Sequence, residues 1–285
     1  MKIDKTISVV DFGYLNVPIL KADASLEEAS KRILETGIKA LPVVDDTNTL
    51  IGLISLNDIT KQNDITIGNV KSVMSKSTYS IKENEPITKA LEILYKRNKT
   101  SDTSTNYSSI PVVASDKATV IGMIDYKDIL LGLKSIIGEM PISKIINKKT
   151  NAVTVVDDTP EKILFYMTRT GIGQTIVVEK QDEVTMRPIG VMKITDLLIH
   201  TRNAQAFGNG DITTRELMIK LDTLKILQPR QKIERVIDLF VLPHLDLMIF
   251  PVTYKNNLIG TVSFLDIVKF ALSYLGNDTN LHSNE

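Results

Sequence analysis

The sequence predicts an α+β protein made of four tandem β-α-β-β-α repeats that pair into two modules, with small mixed sheets packed on helices. The first observation behind this prediction is an apolar stretch with an Ile-Gly pair, which occurs four times, at residues 50–54, 120–124, 188–192 and 258–262. The second is an aspartate six positions after each of these glycines: Asp58, Asp128, Asp196 and Asp266. The aspartates are 70, 68 and 70 residues apart, and so regular a period indicates an internal repeat.

Each copy shows the same elements in the same order. Apolar residues with helical spacing come first, such as Leu26, Ala29 and Ile33 in copy one. Short β-branched runs typical of buried strands follow, at residues 41–44, 110–113, 175–178 and 250–252. Polar stretches at 46–48 and 255–257 then predict hairpin turns. Two helix starts are predicted by a capping box, Ser25 with Glu28, and by Pro160 in a first turn.

The repeats predict the domain boundaries 1–68, 69–137, 138–206 and 207–276, followed by a polar tail at 277–285. A repeat of about 65 residues is small for a core of its own, so we expect consecutive repeats to pack in pairs. Residues 136–141 separate the two pairs. Residues 96–108 and 180–187 lengthen loops of copies two and three, and we expect both at the surface.

Composition and charge exclude several functions. Thirty-four basic residues balance thirty-four acidic ones, which argues against a nucleic-acid partner and leaves only a locally basic face open. The absence of cysteine removes disulfides and thiolate nucleophiles, and it fits a cytoplasmic location. The first residues lack the pattern of a signal peptide. The longest apolar run, 236–252, contains Asp238, His244 and Asp246, so we expect no membrane partner.

The order Pro-Val-Val, then Gly, then Ser-x-x-Asp at the start of a helix resembles the CBS domain, the family named after cystathionine β-synthase. Residues 42–44, Gly52, Ser55 and Asp58 carry this pattern in copy one, and the resemblance covers residues 10 to 275. It implies that repeats pair into Bateman modules whose clefts bind AMP, ADP, ATP, S-adenosylmethionine or related adenosyl ligands. Four repeats in one chain are similar in layout to the gamma subunit of AMP-activated protein kinase.

Ser55 with Asp58 and Ser263 with Asp266 are the first candidates for ligand binding. A hydroxyl and a carboxylate three positions apart at a strand–helix junction point the same way, with free backbone N–H groups between them. The carboxylate can accept hydrogen bonds from both cis hydroxyls of a ribose, while the serine and the helix end receive phosphate oxygens. The alternative is that these residues are ordinary helix caps and dipole partners.

Copies two and three depart from this pattern. Copy two has Asp125 in place of the hydroxyl, which puts a like charge near any phosphate, and copy three has Lys193 there. For Asp128 and Asp196 helix capping is therefore favoured over ligand binding, although both remain candidate site residues. Lys193 either serves a phosphate as a point charge or is a solvated lysine.

Further candidates lie on the strand before each hairpin. Lys39 precedes Pro42 by three positions and aligns with positions that face the cleft in the family, so it is either a phosphate partner or a solvated lysine. Leu41 and Pro42, together with Phe250 and Pro251, either pack against adenine or belong to the core.

The sequence predicts a regulatory ligand sensor and no enzyme. The three histidines are isolated, and there is neither a P-loop nor a nucleophile elbow, so we expect no metal site and no catalytic cofactor. Because the sequence shows no effector domain, we expect the chain either to act on an unknown partner protein in trans or to serve simply as a ligand buffer. A nucleic-acid-associated regulator that uses the repeats as a scaffold is the alternative function, and a homodimer is also left open.

Overall fold

The computed structural model describes residues 8–12, 16, 18–36, 38, 40–60, 62, 64–76, 79–99, 109–115, 119–148, 152–170, 172–207, 212–242, 245 and 247–275. Lys39, the polar tail and residues 100–108 of the copy-two insertion lie outside them. The chain divides into two compact units: unit 1 is residues 1–133 with 272–285, and unit 2 is residues 134–271.

Unit 1 contains two three-stranded mixed sheets. The elements of repeat 1 are β1 (Leu20–Lys21), α1 (Leu26–Thr36), β2 (Ala40–Val44), β3 (Leu50–Ser55) and α2 (Leu56–Thr60). Those of repeat 2 are α3 (Val70–Val73), β4 (Ile81–Lys82), α4 (Ile87–Lys99), β5 (Ser109–Val113), β6 (Val120–Asp125) and α5 (Tyr126–Ile137). In each sheet the first strand pairs parallel with the second, and the second pairs antiparallel with the third.

Unit 2 contains one four-stranded and one two-stranded sheet. The elements of repeat 3 are β7 (Val153–Val155), α6 (Pro160–Thr170), β8 (Gln174–Lys180), β9 (Met186–Lys193) and α7 (Ile194–Phe207). They are followed by α8 (Thr214–Leu217), β10 (Ile219–Lys220), α9 (Ile233–Val241), β11 (Ile249–Tyr254), β12 (Asn257–Ser263) and α10 (Phe264–Leu275). The first sheet has the order β10-β9-β8-β7 and the second is β11-β12. The division between the units falls within α5 and α10.

The predicted α+β class with small mixed sheets is confirmed, and the local signals identify several boundaries. Helix α6 begins at Pro160, and the Ser25 hydroxyl accepts a hydrogen bond from Glu28 N at 3.1 Å. Lys255 and Asn256 have φ values of 51° and 64°, the geometry that a tight hairpin turn requires. The prediction of a first strand in every copy is wrong for repeat 4, where a single parallel bridge from Leu227 to Val252 takes its place.

The sheets bury one face against the helices of their own repeat. In repeat 1, Leu41 and Val43 pack in one cluster with Ile33 of α1 and Ile59 of α2. The other face of that sheet contacts the neighbouring repeat, because Ala40 and Leu53 cluster with Met123 of β6. Side chains alternate between the faces of a strand, so neighbouring residues serve different cores.

The two repeats of unit 1 pack through equivalent positions. Leu53 and Met123 are 70 residues apart, and so are Thr49 and Thr119, which form an isolated bridge. Contacts between equivalent residues indicate an approximate twofold relation between the repeats. In unit 2, Met186 N donates to Asn257 Oδ1 at 2.9 Å, next to the equivalent hairpins. Each unit is therefore a pair of repeats joined sheet to sheet.

A further repeated element, absent from the sequence-based prediction, precedes each copy. We call these stretches the four lead-in segments: residues 8–12, 69–76, 141–148 and 213–220. Each contains one short helical turn, and the second residue of each segment is buried: Val9, Val70, Ile142 and Thr214.

The lead-in segments are exchanged between the two repeats of a unit. The segment that leads into repeat 2 packs on repeat 1, where Val70 N donates to the Ala24 carbonyl at 2.9 Å. The segment that leads into repeat 1 packs on repeat 2, where Val9 N donates to the Glu85 carbonyl at 2.9 Å.

Unit 2 repeats this exchange. Its fourth lead-in segment supplies β10, which pairs with β9 of repeat 3. Its third lead-in segment forms a bridge from Asn147 to Thr261 in β12 of repeat 4. The repeats of each pair are thus interlocked by backbone hydrogen bonds as well as packed through their cores.

Candidate functional site

The Ser-x-x-Asp motifs lie at the junction of a strand and a helix. Ser55 is the last residue of β3 and Ser263 the last residue of β12, and a helix begins at the next position in both repeats. Across the sheet, Ser55 faces Ala40 and Ser263 faces Ile249. The hairpin register therefore places both motifs at the sheet edge where the second strand of the repeat starts.

Serine and aspartate form the same reciprocal hydrogen bonds in both motifs. Ser55 Oγ donates to Asp58 Oδ2 at 2.6 Å, Ser55 N donates to the same oxygen at 2.9 Å, and Asp58 N donates to Ser55 Oγ at 3.3 Å. The corresponding distances for Ser263 and Asp266 are 2.6, 2.7 and 3.3 Å. This is a capping box in which aspartate takes the place of glutamate.

Within the capping box, the serine and the aspartate side chains have different roles. A hydroxyl has one hydrogen, and Ser263 donates it to Asp266, so in this arrangement none remains for a phosphate oxygen. Both hydrogen bonds to the Asp266 carboxylate end on Oδ2; within the part of the chain that the structure describes, Oδ1 accepts none. A carboxylate can accept several hydrogen bonds, so Asp266 keeps capacity for a further donor.

Burial raises the pKa values of Asp266 and Asp128. It raises the pKa of Asp266, against the opposing effect of the hydrogen bonds from Ser263 and of the Lys269 charge. It also raises the pKa of Asp128, where the negative charge of Asp125 adds to the effect. Carboxyls that are partly removed from water at a strand–helix junction are candidates for functional groups.

Copy two builds a different cluster. Asp125 N donates to Asp128 Oδ2 at 2.8 Å, as in the other capping boxes. The Asp125 carboxylate accepts hydrogen bonds from Lys127 N at 2.9 Å and from Ser109 Oγ at 2.9 Å. Ser109 stands across the sheet from Asp125, at the position of Ala40 in repeat 1, and sequence reasoning missed it. Its signal was its place directly before the Ile-Pro-Val-Val run.

In copy three the described residues do not form the capping box. Among the described residues, the one hydrogen bond of the Asp196 side chain comes from Thr195 Oγ1 at 3.4 Å. Lys193 ends β9 and pairs across the sheet with Gln174. The Gln174 side chain accepts a hydrogen bond from Met248 N at 2.8 Å and so joins repeats 3 and 4, a contact that the sequence did not indicate.

The alternation of side chains along a strand places the apolar candidate residues on two different faces of their sheets. Leu41 and Phe250 are fully buried on the helix side of their sheets, and Phe250 meets Phe240 of α9 edge-on at 5.0 Å between ring centroids. Both pack in the core, the second of the two alternatives that the sequence left open, and adenine packing by either residue stays a prediction. Pro42 and Pro251 occupy the alternate positions, on the face that meets the paired repeat.

The described residues contain neither a cluster of metal-binding side chains nor a membrane-spanning helix. In the described part of the chain, no group of three or more His, Cys, Asp or Glu side chains is arranged to hold a metal ion. None of the helices there combines the length and the apolar character that crossing a membrane would require.

Comparison with known proteins finds a family that the first two repeats resemble. The family model of the CBS domain matches residues 13–63 and 70–135. An uncharacterised protein of Methanocaldococcus jannaschii is 33% identical over 135 residues, which are 47% of this chain and 41% of that protein. A homoserine O-acetyltransferase of Methanohalobium evestigatum is 31% identical over 121 residues, which are 42% of this chain and 23% of that enzyme. The chain thus spans less than half the length of either relative.

A solved structure extends the likeness to nearly the whole chain. A Methanocaldococcus jannaschii protein, described as a candidate archaeal homologue of g-AMPK, superposes with a TM-score of 0.62 at 18% identity. The match covers 93% of this chain and 100% of that one. At this identity the likeness concerns the fold, and it includes repeats 3 and 4, which the family model does not match.

Proposed function

We propose that the chain is a CBS-domain protein with four repeats, and that it is a non-catalytic regulatory module that binds adenosyl ligands between paired repeats. The ligand class is AMP, ADP, ATP or S-adenosylmethionine, and occupancy acts on a partner protein in trans. Ligand binding would bias the packing between the repeats of a unit, which a partner can then recognise.

The observation that carries this proposal is the capping box of Ser263 and Asp266. Its carboxylate is partly buried, its pKa is raised by that burial, and its hydrogen bonds within the described residues use one oxygen. Removing a carboxylate from water is costly unless donors compensate, and the vicinal hydroxyls of a ribose are two such donors. The serine holds the carboxylate in position, and Asp266 accepts the hydrogen bonds from the sugar.

Asp58 takes the same part in unit 1, because its capping box has the same distances to within 0.2 Å. The adenine ring would then lie on the face of the sheet that meets the paired repeat, beside Pro42 or Pro251. Phosphate oxygens would be received by backbone N–H groups near the helix start, and Lys39 and Lys193 are the proposed cationic partners. Asp128 and Asp196 are proposed as secondary positions.

The test is calorimetric titration of the full chain with AMP, ADP, ATP and S-adenosylmethionine. We expect Asp266→Ala to weaken binding in unit 2, and Asp58→Ala in unit 1, by about 1.5–3 kcal/mol, roughly ten- to over a hundredfold in affinity. A 2′,3′-dideoxy nucleotide should bind the wild type poorly and lose little more in either variant.

The matched control is Glu216→Ala. Thr213 and Glu216 form the same kind of capping box, with Thr213 N and Oγ1 donating to Glu216 Oε2 at 2.8 and 2.7 Å, in an exposed turn. Losing this cap should cost stability and leave ligand affinity unchanged. If Asp58→Ala and Asp266→Ala behave like the control, the aspartates are helix caps and the ribose-binding role must be dropped.

A further inference from the structure

An exposed apolar surface lies on two neighbouring helices of repeat 3. Phe165 of α6 is 63% exposed, and Leu198 and Ile199 of α7 are 47% and 59% exposed. On their other sides the two helices pack in the core of the repeat, through Ile163, Met167 and Leu197. We call Phe165, Leu198 and Ile199 the α6–α7 patch. Helices α6 and α7 contact each other, so these exposed side chains lie on adjacent helices, and exposed apolar patches mark interaction sites.

The repeat architecture does not require this patch. Phe165 is the sixth residue of α6, and the sixth residues of the equivalent helices are all charged: Lys31, Glu92 and Asp238. Leu198 lies two positions after Asp196, and its equivalents in repeats 2 and 4, Leu130 and Val268, are fully buried. Repeat 3 therefore places an apolar side chain where other repeats have a charge, and leaves exposed a position that two of them cover.

The charges around Phe165 have a regular arrangement. Glu161 lies four residues before Phe165 and Arg169 four residues after it, so all three project from the same face of α6, about one turn apart. The Arg169 guanidinium lies 5.6 Å from the centre of the Phe165 ring. In the part of the chain that the structure describes, neither Glu161 nor Arg169 has an ion-pair partner.

We propose that the α6–α7 patch is an interface between two copies of this chain, related by a twofold axis near Phe165. Two α6 helices that pack antiparallel across such an axis bring Phe165 against Phe165 of the second copy. The same operation sets Glu161 of each copy opposite Arg169 of the other, so the surface complements itself in charge as well as in apolar area. A twofold interface uses one surface twice, which is the property that this arrangement of charges has.

The experiment is the molar mass of the full chain, measured by light scattering during gel filtration over a range of protein concentrations. We expect the wild type to reach twice the mass of one chain. Phe165→Glu should yield monomers, and since Phe165 is exposed, its melting temperature should stay near that of the wild type. Glu161→Arg alone and Arg169→Glu alone should each raise the dimer dissociation constant about tenfold or more, since both place like charges across the axis. The double variant E161R/R169E should restore it.

Glu27→Arg is the matched control. Glu27 is the second residue of α1, as Glu161 is of α6, and the change alters net charge and helix-end charge equally. It should leave the dissociation constant unchanged. A wild type that stays monomeric at every concentration overturns the proposal, and so does a dimer that Phe165→Glu does not weaken, because the interface would then lie elsewhere.

Discussion

The glycines of the Ile-Gly pairs in repeats 3 and 4 have a structural role that their recurrence alone did not reveal. A methyl group placed on Gly260 would lie 2.6 Å from the Asn147 carbonyl oxygen and 2.6 Å from Ile146 Cγ2, both on the third lead-in segment. On Gly190 it would lie 2.5 Å from Met218 Sδ, on the fourth. These strands carry glycine because the lead-in segment crosses them at a distance that leaves no room for a side chain.

We therefore expect Gly260→Ala to lower the free energy of unfolding by about 1–3 kcal/mol, the usual cost of overpacking a fixed backbone contact. Gly190→Ala should cost less, because the thioether of Met218 can rotate away. The control is Gly173→Ala, since a methyl group there meets no atom within 4 Å. Its effect should stay within about 0.5 kcal/mol in urea unfolding. Equal effects of all three changes would refute the close-approach explanation.

The partly buried carboxyl of Asp266 gives a prediction for how stability depends on pH. Because the pKa of Asp266 is raised in the folded state, its protonation favours folding. This contribution to stability is complete below the ordinary pKa of about 3.9. That contribution is lost as the pH rises through the folded-state pKa. Asp266→Asn removes the titration, while the Asn carbonyl can still accept the hydrogen bond from Ser263 N. Urea unfolding between about pH 4 and 7 should show wild-type stability falling relative to the variant as the pH rises. A constant difference across this range would contradict a raised pKa.

At the scale of elements, the sequence predicted the repeat and missed the exchange. The spacing of the aspartates and glycines predicted the strands, hairpins and helices, because every copy needs these elements for its own core. The lead-in segments share only an apolar second or sixth position, such as Val70 and Met74, and that pattern is too short to stand out. Nor can a sequence tell which sheet a segment joins, since the segment before repeat 2 pairs with repeat 1.

The candidate site shows the same limit. The Ser-x-x-Asp pattern identified residues that do form a local hydrogen-bonded unit, because partners three positions apart meet at any helix start. The sequence left the part of Phe250 open, because a strand buried on both faces has no alternation of apolar and polar residues from which to tell its two faces apart. Ser109 and Gln174 were missed, since their partners are set by hairpin register and by the paired repeat.

The exchange of lead-in segments predicts which fragments of the chain fold on their own. A fragment of residues 1–137 keeps both lead-in segments of unit 1 and should unfold cooperatively in urea. A fragment of residues 1–68 loses the segment that covers β3, including the hydrogen bonds between Leu53 and Ser75 at 3.0 and 2.9 Å, and should not. The half that begins at residue 138 retains the third lead-in segment and should also fold. If the 1–68 fragment melts as cooperatively as 1–137, the pairing of repeats is misassigned.

At the scale of the whole molecule, the four repeats differ in the hydrogen bonds that hold the repeated aspartate. Among the described residues, the closed Ser–Asp capping box occurs once in each unit, in repeats 1 and 4. In repeat 2 the serine is replaced by Asp125, whose charge would lie near any phosphate of the ligand. In repeat 3 the residue is Lys193, and Asp196 is not held by the same hydrogen bonds.

The number of strong ligand sites tests whether this asymmetry matters. Calorimetric titration of the full chain with AMP, ADP or ATP should give fewer than four tight sites, most simply one per unit, because a second carboxylate repels phosphate and an open box does not hold its aspartate in position. Asp125→Ser restores the hydroxyl in repeat 2 and should strengthen binding of phosphorylated ligands there. Lys127→Ser, in the same turn, is the control for the loss of a charged residue. Four equivalent tight sites in the wild type would show that neither Asp125 nor Lys193 distinguishes the repeats.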